Sequence, residues 1–464
     1  MISVKQLQKD FIDFEKDNNL YELEIQGVPI WLLTRFNIFI SLRDKLTLKS
    51  ERYNITDREI SLLLKNIFKI IKNILFKNPL IKNKKIDLLF INHPRRKLHK
   101  GLYFDIYTDS FLPQIKSDFL VIEPFQNLQH YTPTFSSPIY YFDFIEFPSR
   151  LISLLPNKKN SDIISNIDRL IKEKWGDFPY DFKKEFPILI KRYKYAFPRI
   201  KSMLKKLQPN KIILVVSYSF INQLICIIAK EMNIPVYEIQ HGVVGDKHIA
   251  YNYQTNKQIA TFPDFFLSWG DYWTKKAKMP ISKNAVKIVG FPYLESFKKS
   301  NTLIKKHNSI IVISQLREDV ALFAKKLALS LPEYSIIFKM HPAEYNIAHN
   351  KYKYLNSIKN IKIIADDKIP LYEYFSKSKY VVGVYSTALI EALVFETHVF
   401  ILKYPGWELF EDIKPDKNIT FIEDVESMVD VVNQNTNSVN NSNLNSYFQS
   451  GSILKMQIEL QNIK

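Results

Sequence analysis

The stretch KIILVVSYSFINQLICIIAKEMNIPVYEIQHG, residues 211–242, decides the fold. Two short apolar runs, KIILVVS (211–217) and PVYEIQ (235–240), flank a segment at 219–232 whose length and apolar spacing predict a helix. Short apolar runs that alternate with helices are typical of a parallel sheet covered on both faces. The stretch therefore predicts an α/β domain, and it ends in a His-Gly pair.

The same alternation extends in both directions. Further predicted elements of this domain are strands at 86–92, 118–124, 138–144, 264–269 and 285–290 and a helical stretch at 161–207. The pattern restarts at SIIVIS (309–314), with further strands at 334–340, 361–366, 380–386 and 398–404 and helices at 318–330, 370–377 and 387–396. We therefore predict two facing Rossmann-like domains.

Composition shifts divide the chain further. The predicted segments are a helical N-terminal region (1–80), a first Rossmann-like domain (81–297), a polar linker (298–308), a second Rossmann-like domain (309–432), and a low-complexity loop with a terminal helix (433–464). A length of 464 residues suffices for two domains.

The chain is strongly basic, with a net charge of +18. This charge favours anionic partners such as nucleotides or phospholipid headgroups. Nucleic acid is disfavoured because no nucleic-acid-binding motif is present and the lysines are dispersed. The single cysteine, Cys226, excludes an internal disulfide framework, and no signal peptide or apolar run of about 18 residues is present. We therefore expect a cytoplasmic protein.

One helix in the N-terminal region is basic and amphipathic. In TDREISLLLKNIFKIIKNILF, residues 56–76, apolar residues recur at helical spacing, and the pattern places Lys65, Lys69 and Lys72 on the other face. Such a helix either packs in the core of its own domain or lies on an anionic membrane. Core packing is the more frequent case, and peripheral contact with the inner membrane is the alternative.

Six of the ten glycines lie between residues 242 and 406. Glycine serves where backbone takes a positive φ or approaches a ligand closely, so we expect loops from this region to form a cleft between the domains. Gly242 and Gly245 would let the loop after PVYEIQ turn and present His241. A histidine there is either a general base or a structural hydrogen-bonding residue of the loop.

Two segments of the second domain carry groups suited to phosphate. In FKMHPAEY, residues 338–345, Lys339 and His341 follow the end of a strand and could contact a phosphate or pyrophosphate. After the first strand of this domain, Arg317 either contacts the same phosphates or is a solvated residue of the first helical turn.

The segment VVGVYSTALIEALVFE, residues 381–396, is a strand-to-helix turn. Gly383 precedes the hydroxyls of Ser386 and Thr387 at a predicted helix N-terminus, where they would cap the helix and receive a phosphate. Glu391 lies one turn further on and could accept hydrogen bonds from ribose hydroxyls.

Other chemistries lack their motifs. There is no Walker A, GxGxxG, GxSxG or HExxH sequence, which disfavours ATP hydrolysis, dinucleotide redox chemistry, serine hydrolysis and zinc peptidase chemistry. The acidic pair Asp366-Asp367 is expected to cap a helix, with metal coordination as the less favoured alternative. We therefore expect neither a metal ion nor another cofactor.

These motifs together resemble a known group. QHG at 240–242, KMHP at 339–342 and YSTALIEA at 385–392 are similar to motifs of the GT-B glycosyltransferases that build bacterial surface polysaccharides. The likeness is to capsule and lipopolysaccharide transferases and to teichoic-acid glycerophosphotransferases, and it covers about residues 85–415. Bacterial sialyltransferases share the HP and Ser-Ser/Thr motifs, but the acidic D/E-D/E-G motif that supplies their base is missing here.

The resemblance implies a role for each segment. The first domain would bind a glycan or lipid-linked glycan acceptor, with His241 as the base. The second would bind a nucleotide-sugar donor, through Lys339, His341, Ser386 and Thr387 at the phosphate and Glu391 at the ribose. Should His241 not be the base, Asp105, Asp109 and Asp246 are the next candidates.

The motifs leave three alternatives open. A phosphotransferase that moves a polyol phosphate from a CDP-linked donor needs the same nucleotide-binding loops. A sugar-nucleotide epimerase shares the architecture and needs no acceptor, and a non-catalytic assembly protein would retain only the fold.

Overall fold

The computed structural model describes most of the chain. The described residues are 3–46, 56–82, 84–99, 101–126, 128–136, 138–155, 162–177, 179–255, 257–300, 306–347, 351–413, 418–434 and 444–461. Within these ranges, no helix is long and apolar enough to cross a bilayer.

The chain divides into two compact units. The first unit comprises Met1–Arg96, Tyr103–Val289 and Ile453–Lys464. The second comprises Lys97–Leu102 and Gly290–Ser452. The second unit thus starts at Gly290, before the predicted linker.

Both ends of the predicted linker belong to regular elements. Residues 298–300 end a helix, and a strand begins at His307. Residues 301–305 lie outside the described residues. The terminal helix at the end of the chain is part of the first unit.

The first unit contains a seven-stranded, fully parallel sheet in the order β5-β4-β1-β6-β7-β8-β9. Its strands are β1 (Leu88–Ile91), β4 (Phe119–Glu123), β5 (Ile139–Tyr141), β6 (Lys211–Val215), β7 (Val236–Ile239), β8 (Phe265–Ser268) and β9 (Val286–Ile288). Two short strands, β2 (Lys97–His99) and β3 (Leu102–Phe104), lie outside this sheet. All seven predicted strands are present.

The first unit also contains helices, of which the first three come before the sheet in the chain. They are α1 (Val4–Asp17), α2 (Ile30–Leu46), α3 (Thr56–Phe76), α4 (Asp143–Ser153), α5 (Asp162–Trp175), α6 (Phe182–Leu207), α7 (Phe220–Glu231), the short α8 (Asp271–Thr274) and the terminal α15 (Ser452–Gln461). Buried apolar clusters lie on both sheet faces, one of them with α1 and α2 and the other with α15.

The helical stretch predicted at 161–207 is two helices. It breaks where Gly176 takes a φ of +71°, which ends α5, and it restarts where Asp181 accepts a hydrogen bond from the backbone N–H of Lys184 at 3.1 Å. Helix α6 then ends at Gln208 in the left-handed region. The apolar periodicity continues across the break, which is why the sequence did not reveal it.

The second unit contains a six-stranded parallel sheet in the order β12-β11-β10-β13-β14-β15. Its strands are β10 (His307–Ile313), β11 (Ser335–Lys339), β12 (Ile361–Ile364), β13 (Ser378–Gly383), β14 (His398–Leu402) and β15 (Ile419–Ile422). Its helices are α9 (Pro292–Ser300), α10 (Glu318–Ser330), α11 (Leu371–Lys377), α12 (Thr387–Ala392), α13 (Val425–Asn433) and α14 (Leu444–Tyr447). Strand β15 was not predicted, and two of its four residues are only half-buried.

Two parallel sheets with flanking helices confirm the predicted fold class of paired Rossmann-like domains, preceded by a helical N-terminal region. In the second sheet, chain order reverses at β10, whose neighbours are β11 and β13. In open parallel sheets, ligands bind beyond the carboxyl ends of the strands at such a point. The loops after β10, β11 and β13 are therefore the first place to seek a ligand site.

Candidate active site

In the first unit, the loop after β7 is anchored by Gln240. The buried side-chain oxygen of Gln240 accepts hydrogen bonds from Ser268 Oγ at 3.0 Å and from the backbone N–H of Trp269 at 2.8 Å. Its amide nitrogen donates to the carbonyl of Gly242 at 2.9 Å. Gln240 thus connects the loop after β7 to the end of β8.

His241 lies at the carboxyl edge of this sheet, as predicted, with 16% of its side chain exposed. Its Nε2 is 3.0 Å from the hydroxyl of Tyr218, and its Nδ1 is 3.4 Å from the hydroxyl of Tyr251. Its carbonyl accepts a hydrogen bond from the Tyr107 hydroxyl at 3.1 Å. Both ring nitrogens therefore face tyrosine hydroxyls.

His241 is held neutral. Burial lowers its pKa well below the usual value, and the positive potential of His248, His93 and Arg95 lowers it further. The pKa of the neighbouring His248 also falls, to about 4, because of burial. At neutral pH, His241 therefore carries an unprotonated ring nitrogen that can accept a proton.

Behind His241 lies Glu238, the only acidic residue of β7. It is fully buried, and burial raises its pKa to about 7 although Ser217 and Tyr251 donate hydrogen bonds to it. The Tyr251 hydroxyl donates to Glu238 Oε1 at 2.8 Å. Glu238 was not predicted from the sequence as a site residue, although a single acidic residue in an apolar strand could have indicated one.

The glycines of this loop differ from the prediction. Gly242 does not take a positive φ, and a Cβ there would meet no atom within 4 Å, so neither backbone angle nor close packing requires glycine. Gly245 takes a φ of +156°, which L side chains rarely adopt. The prediction that Gly242 frees the turn is therefore wrong, whereas Gly245 is conformationally required.

Of the three aspartates considered as substitutes for His241, two are buried. Asp105 and Asp109 are buried, and Asp109 pairs with Arg96 at 3.3 Å. The backbone carbonyl of Asp246 accepts a hydrogen bond from Gln8, which fixes its segment to α1. Asp105 and Asp109 are not placed to reach an acceptor from solvent.

In the second unit, one buried carboxylate joins two of the three loops. Glu344 accepts hydrogen bonds from the Ser314 hydroxyl after β10, from the backbone N–H of Leu316 at 3.3 Å, and from that of His341 after β11 at 3.1 Å. Burial alone would raise the pKa of Glu344, but the bonds from Ser314, Tyr352 and Lys351 outweigh it and lower that pKa. The sequence analysis missed this residue.

The third loop is joined by Gln315. Its side-chain oxygen accepts hydrogen bonds from the backbone N–H groups of Val384 at 2.8 Å and Tyr385 at 3.2 Å. Gln315 itself has a φ of +56°, an uncommon angle for a residue other than glycine. The loops after β10, β11 and β13 therefore form one hydrogen-bonded structure at the predicted sheet edge.

His341, Ser386 and Thr387 lie on these loops as predicted, and each is partly exposed. Ser386 is the N-cap of α12, where its hydroxyl accepts a hydrogen bond from the backbone N–H of Ala388 at 3.3 Å. A Cβ on Gly383 would lie 3.2 Å from Leu389 Cδ2, so Gly383 allows close packing of strand and helix. Gly383, which we expected to shape the strand-to-helix turn, does not take a positive φ.

Lys339 points into the protein. Only 6% exposed, it donates hydrogen bonds to the Tyr345 hydroxyl and to the carbonyl of Asp366, and it pairs with Asp367 at 3.2 Å. Burial lowers its pKa. The prediction that Lys339 is a projecting phosphate ligand is therefore not supported, because its ammonium already has three oxygen partners.

Arg317 and Glu391 also have internal partners. Arg317 pairs with Asp319 and donates to the carbonyl of Pro405, and it forms the N-cap position of α10 rather than a solvated residue of its first turn. Glu391 is buried and accepts a hydrogen bond from Tyr372. Ribose binding by Glu391 would have to use the remaining acceptor positions of its carboxylate.

The acidic pair does not cap a helix. Asp366 Oδ1 accepts a hydrogen bond from the backbone N–H of Lys368 at 3.0 Å, and Asp367 binds Tyr345 at 2.7 Å and Lys339. The N-cap position of the next helix is instead Pro370. Over the described ranges, no three His, Cys, Asp or Glu side chains are grouped as a metal site requires.

Residues 303–402 match the family model of the alpha-2,8-polysialyltransferases. The match covers less than a quarter of the chain, lies within the second unit, and contains every residue predicted to bind the donor. It confirms the prediction of a nucleotide-sugar-dependent glycosyltransferase of surface polysaccharide synthesis. No curated protein matches the chain significantly.

Several solved structures are distantly similar to this chain. A UDP-GlcNAc 2-epimerase from Neisseria meningitidis is 11% identical over 81% of this chain and 100% of its own, with a TM-score of 0.49. A putative UDP-N-acetylglucosamine 2-epimerase from Listeria monocytogenes is 12% identical over 81% and 96%, with a TM-score of 0.49. The wall teichoic acid polymerase TagF is 11% identical over 89% and 94%, with a TM-score of 0.41.

Proposed function

We propose that the chain transfers sialic acid from a CMP-linked donor to a growing surface glycan. The observation that carries this proposal is the overlap between the matched segment, 303–402, and the three connected loops of the second sheet. We infer sialic acid as the sugar because the matched family is that of the alpha-2,8-polysialyltransferases. The donor is then CMP-linked, because sialyl residues are transferred from CMP.

The donor site of this proposal is the structure formed by the loops after β10, β11 and β13. His341 and the hydroxyls of Ser386 and Thr387 would contact the donor phosphate, because all three are partly exposed on these loops. Glu344, Gln315 and Lys339 would position those loops rather than bind the donor.

The base of this proposal is His241. Sialyl transfer requires removal of a proton from the acceptor hydroxyl while the bond from the sugar to the CMP phosphate breaks. A neutral imidazole at a sheet edge can accept that proton. His241 would thus replace the base that the D/E-D/E-G motif, absent from this chain, supplies in bacterial sialyltransferases. A direct displacement of this kind inverts the anomeric carbon.

A nucleotide-binding panel tests the donor site. CMP should raise the melting temperature more than UDP, GDP, TDP or CDP, since binding to the native state stabilises it by mass action. His341→Ala should weaken CMP binding by about 10- to 150-fold, which corresponds to a lost charge-assisted contact of about 1.5–3 kcal/mol. His307→Ala, at an exposed position on β10 of the same unit, is the matched control.

The same panel, extended by a CDP-polyol and combined with a turnover assay on a UDP-sugar, separates the alternatives. Stabilisation by a CDP-polyol instead of CMP would favour polyol-phosphate transfer. Turnover of a UDP-sugar without an acceptor would favour an epimerase. An unaltered melting temperature with every nucleotide would contradict the donor site and favour a non-catalytic role.

We also propose that α3 holds the enzyme on an anionic membrane surface. Helix α3 packs inward through Asn66 and Ile70, which are buried, whereas Phe68 is 82% exposed and Leu75 59% exposed. Ile71 and Phe76 are exposed beside them. Exposed apolar side chains on one helix face mark an interaction surface.

Lys72 lies beside this apolar surface and not opposite it, contrary to the prediction. Lys69 and Lys72 are exposed, and helical geometry places Lys72 next to Phe68. The side chains of residues 56–65, including Lys65, lie outside the described part of the helix. An apolar strip flanked by lysines suits the headgroup region of an anionic bilayer.

Vesicle co-sedimentation tests this proposal. The protein should bind phosphatidylglycerol vesicles more strongly than phosphatidylcholine vesicles, and Phe68→Asp/Leu75→Asp should reduce binding to both. Leu329→Asp, at a 66% exposed position of the second unit, is the matched control. Equal binding by the wild-type protein and the double variant would refute the membrane surface on α3.

A further inference from the structure

Four polar side chains form a continuous chain behind the acceptor edge of the first sheet. The Tyr218 hydroxyl is 3.0 Å from His241 Nε2, and His241 Nδ1 is 3.4 Å from the Tyr251 hydroxyl. The Tyr251 hydroxyl is 2.8 Å from Glu238 Oε1. The chain connects Tyr218, a partly exposed residue, to the fully buried carboxylate of Glu238.

The chemistry of the groups fixes the direction of these hydrogen bonds. An ionised Glu238 only accepts, so the Tyr251 hydroxyl donates to it and presents a lone pair to His241 Nδ1. Nδ1 then carries the imidazole hydrogen, which leaves Nε2 as the acceptor for the Tyr218 hydroxyl. Every donor in the chain therefore points toward Glu238.

Few charged groups surround the end of the chain. The titratable side chains that face Glu238 are Tyr218, Tyr251, Tyr253, His241 and Cys226, from the loops and helix packed around β7. Among the described residues, no lysine or arginine forms an ion pair with Glu238. Its negative charge therefore has only dipolar partners, and a proton would neutralise it.

We propose that Tyr218, His241 and Tyr251 relay the proton of the acceptor hydroxyl to Glu238. This inference rests on the proposed glycosyl transfer with His241 as the base. The acceptor oxygen forms the bond to the anomeric carbon, and the bond to the CMP phosphate breaks, with its electron pair leaving on the phosphate oxygen.

The proton balance of the step is complete. The acceptor proton moves to Tyr218 Oη, whose own proton moves to His241 Nε2. The Nδ1 proton moves to Tyr251 Oη, and the Tyr251 proton moves to Glu238 Oε1. Tyr218 is the group that touches the acceptor, and Tyr251 and Glu238 act through His241.

The relay resolves a difficulty of His241 alone. Burial makes imidazolium unfavourable at this position, so a proton that stopped there would be poorly held. The pKa of Glu238, raised by burial to about 7, suits a group that must accept and later release a proton near neutral pH.

Glu238→Gln tests the relay, since the amide retains the size and an acceptor oxygen but takes up no proton. We expect kcat to fall by about 10²- to 10⁴-fold while CMP affinity remains unchanged. In the wild-type protein, kcat should rise with pH through a pKa near 7, and this limb should be absent from Glu238→Gln. Tyr218→Phe and Tyr251→Phe should show the same loss, and Tyr195→Phe, on α6 of the same unit, is the matched control.

The outcomes separate the relay from the proposed function. Should Glu238→Gln fail to fold, Tyr251→Phe removes a single oxygen and tests the same step. Loss of turnover in His241→Ala with wild-type kcat and pH dependence in Glu238→Gln or Tyr251→Phe would overturn the relay alone. No turnover by the wild-type protein with any nucleotide donor would overturn both the proposed function and the relay.

Discussion

Glu344→Gln is expected to destabilise the second unit and weaken nucleotide binding together. The carboxylate of Glu344 is fully buried and accepts five hydrogen bonds. Oε2 receives Ser314, Leu316 and His341, whereas Oε1 receives Lys351 at 3.1 Å and Tyr352 at 2.6 Å. In the Glu344→Gln side chain, one carboxylate oxygen is replaced by an NH₂ group. This group can only donate, so it cannot accept the hydrogen bonds that the replaced oxygen accepted.

The magnitude follows from those contacts. If the amide oxygen takes the position of Oε2, the NH₂ group opposes the donors of Lys351 and Tyr352. A hydrogen bond to a charged group contributes about 1.5–3 kcal/mol, and Lys351 is partly solvated, so a loss of about 3 kcal/mol is expected. For a unit of this size, that corresponds to a fall in melting temperature of about 6–12 °C.

Circular-dichroism melting and CMP titration measure the two effects on one sample. Glu333→Gln, at an exposed position of the same unit, should change the free energy of unfolding by less than about 0.5 kcal/mol. A Glu344→Gln protein that melts with the control and binds CMP equally would refute the role of Glu344 in holding the loops after β10 and β11.

Two further predictions concern metal and pH. Transfer activity should survive EDTA, because Asp366 and Asp367 are engaged by Lys368, Tyr345 and Lys339; loss on chelation with recovery on adding Mg²⁺ or Mn²⁺ would contradict this. Burial raises the Glu238 pKa from 4.5 to about 7, so the stability associated with its protonated form is present below pH 4.5 and lost as pH rises through 7. Chemical unfolding should therefore show that, between pH 4.5 and pH 8, the free energy of unfolding of Glu238→Gln rises by about 3 kcal/mol relative to that of the wild-type protein. A difference between the two proteins that does not change with pH would contradict the buried charge.

Apolar runs made most of the fold predictable. Six of the seven strands of the first sheet have a buried pattern that is nearly continuous, as parallel strands covered on both faces require, whereas all three residues of β9 are half-buried. Strand β15 has two half-buried residues among its four, so its run carried little signal. The boundary of the second unit was also missed, because α9 resembles any short helix until its contacts are known.

The positions of the candidate site residues could be predicted where they directly follow a strand. His241, His341, Ser386 and Thr387 lie at strand ends, and the sequence pattern locates strand ends well. Whether a polar side chain projects or binds internally depends on partners distant in the chain. Lys339 is the example, since its partner Asp367 lies 28 residues away.

The contacts of α3 show the same limit. The sequence alone gives the width of an apolar face, but the neighbouring elements decide which part of it is buried. Ile70 packs against Phe125 and Leu128, and this contact leaves Phe68 exposed.

The proposal of sialyl transfer with His241 as the base is tested by measuring the acceptor-dependent release of CMP from CMP-sialic acid. The assay compares the wild-type protein with His241→Ala, with and without a glycan that ends in sialic acid. We predict release only when the acceptor is present, and a fall of about 10²- to 10⁴-fold in His241→Ala with unchanged CMP affinity. Release of CMP that does not depend on the acceptor would contradict sialyl transfer. Normal turnover by a folded His241→Ala protein would contradict the role of His241 as the base.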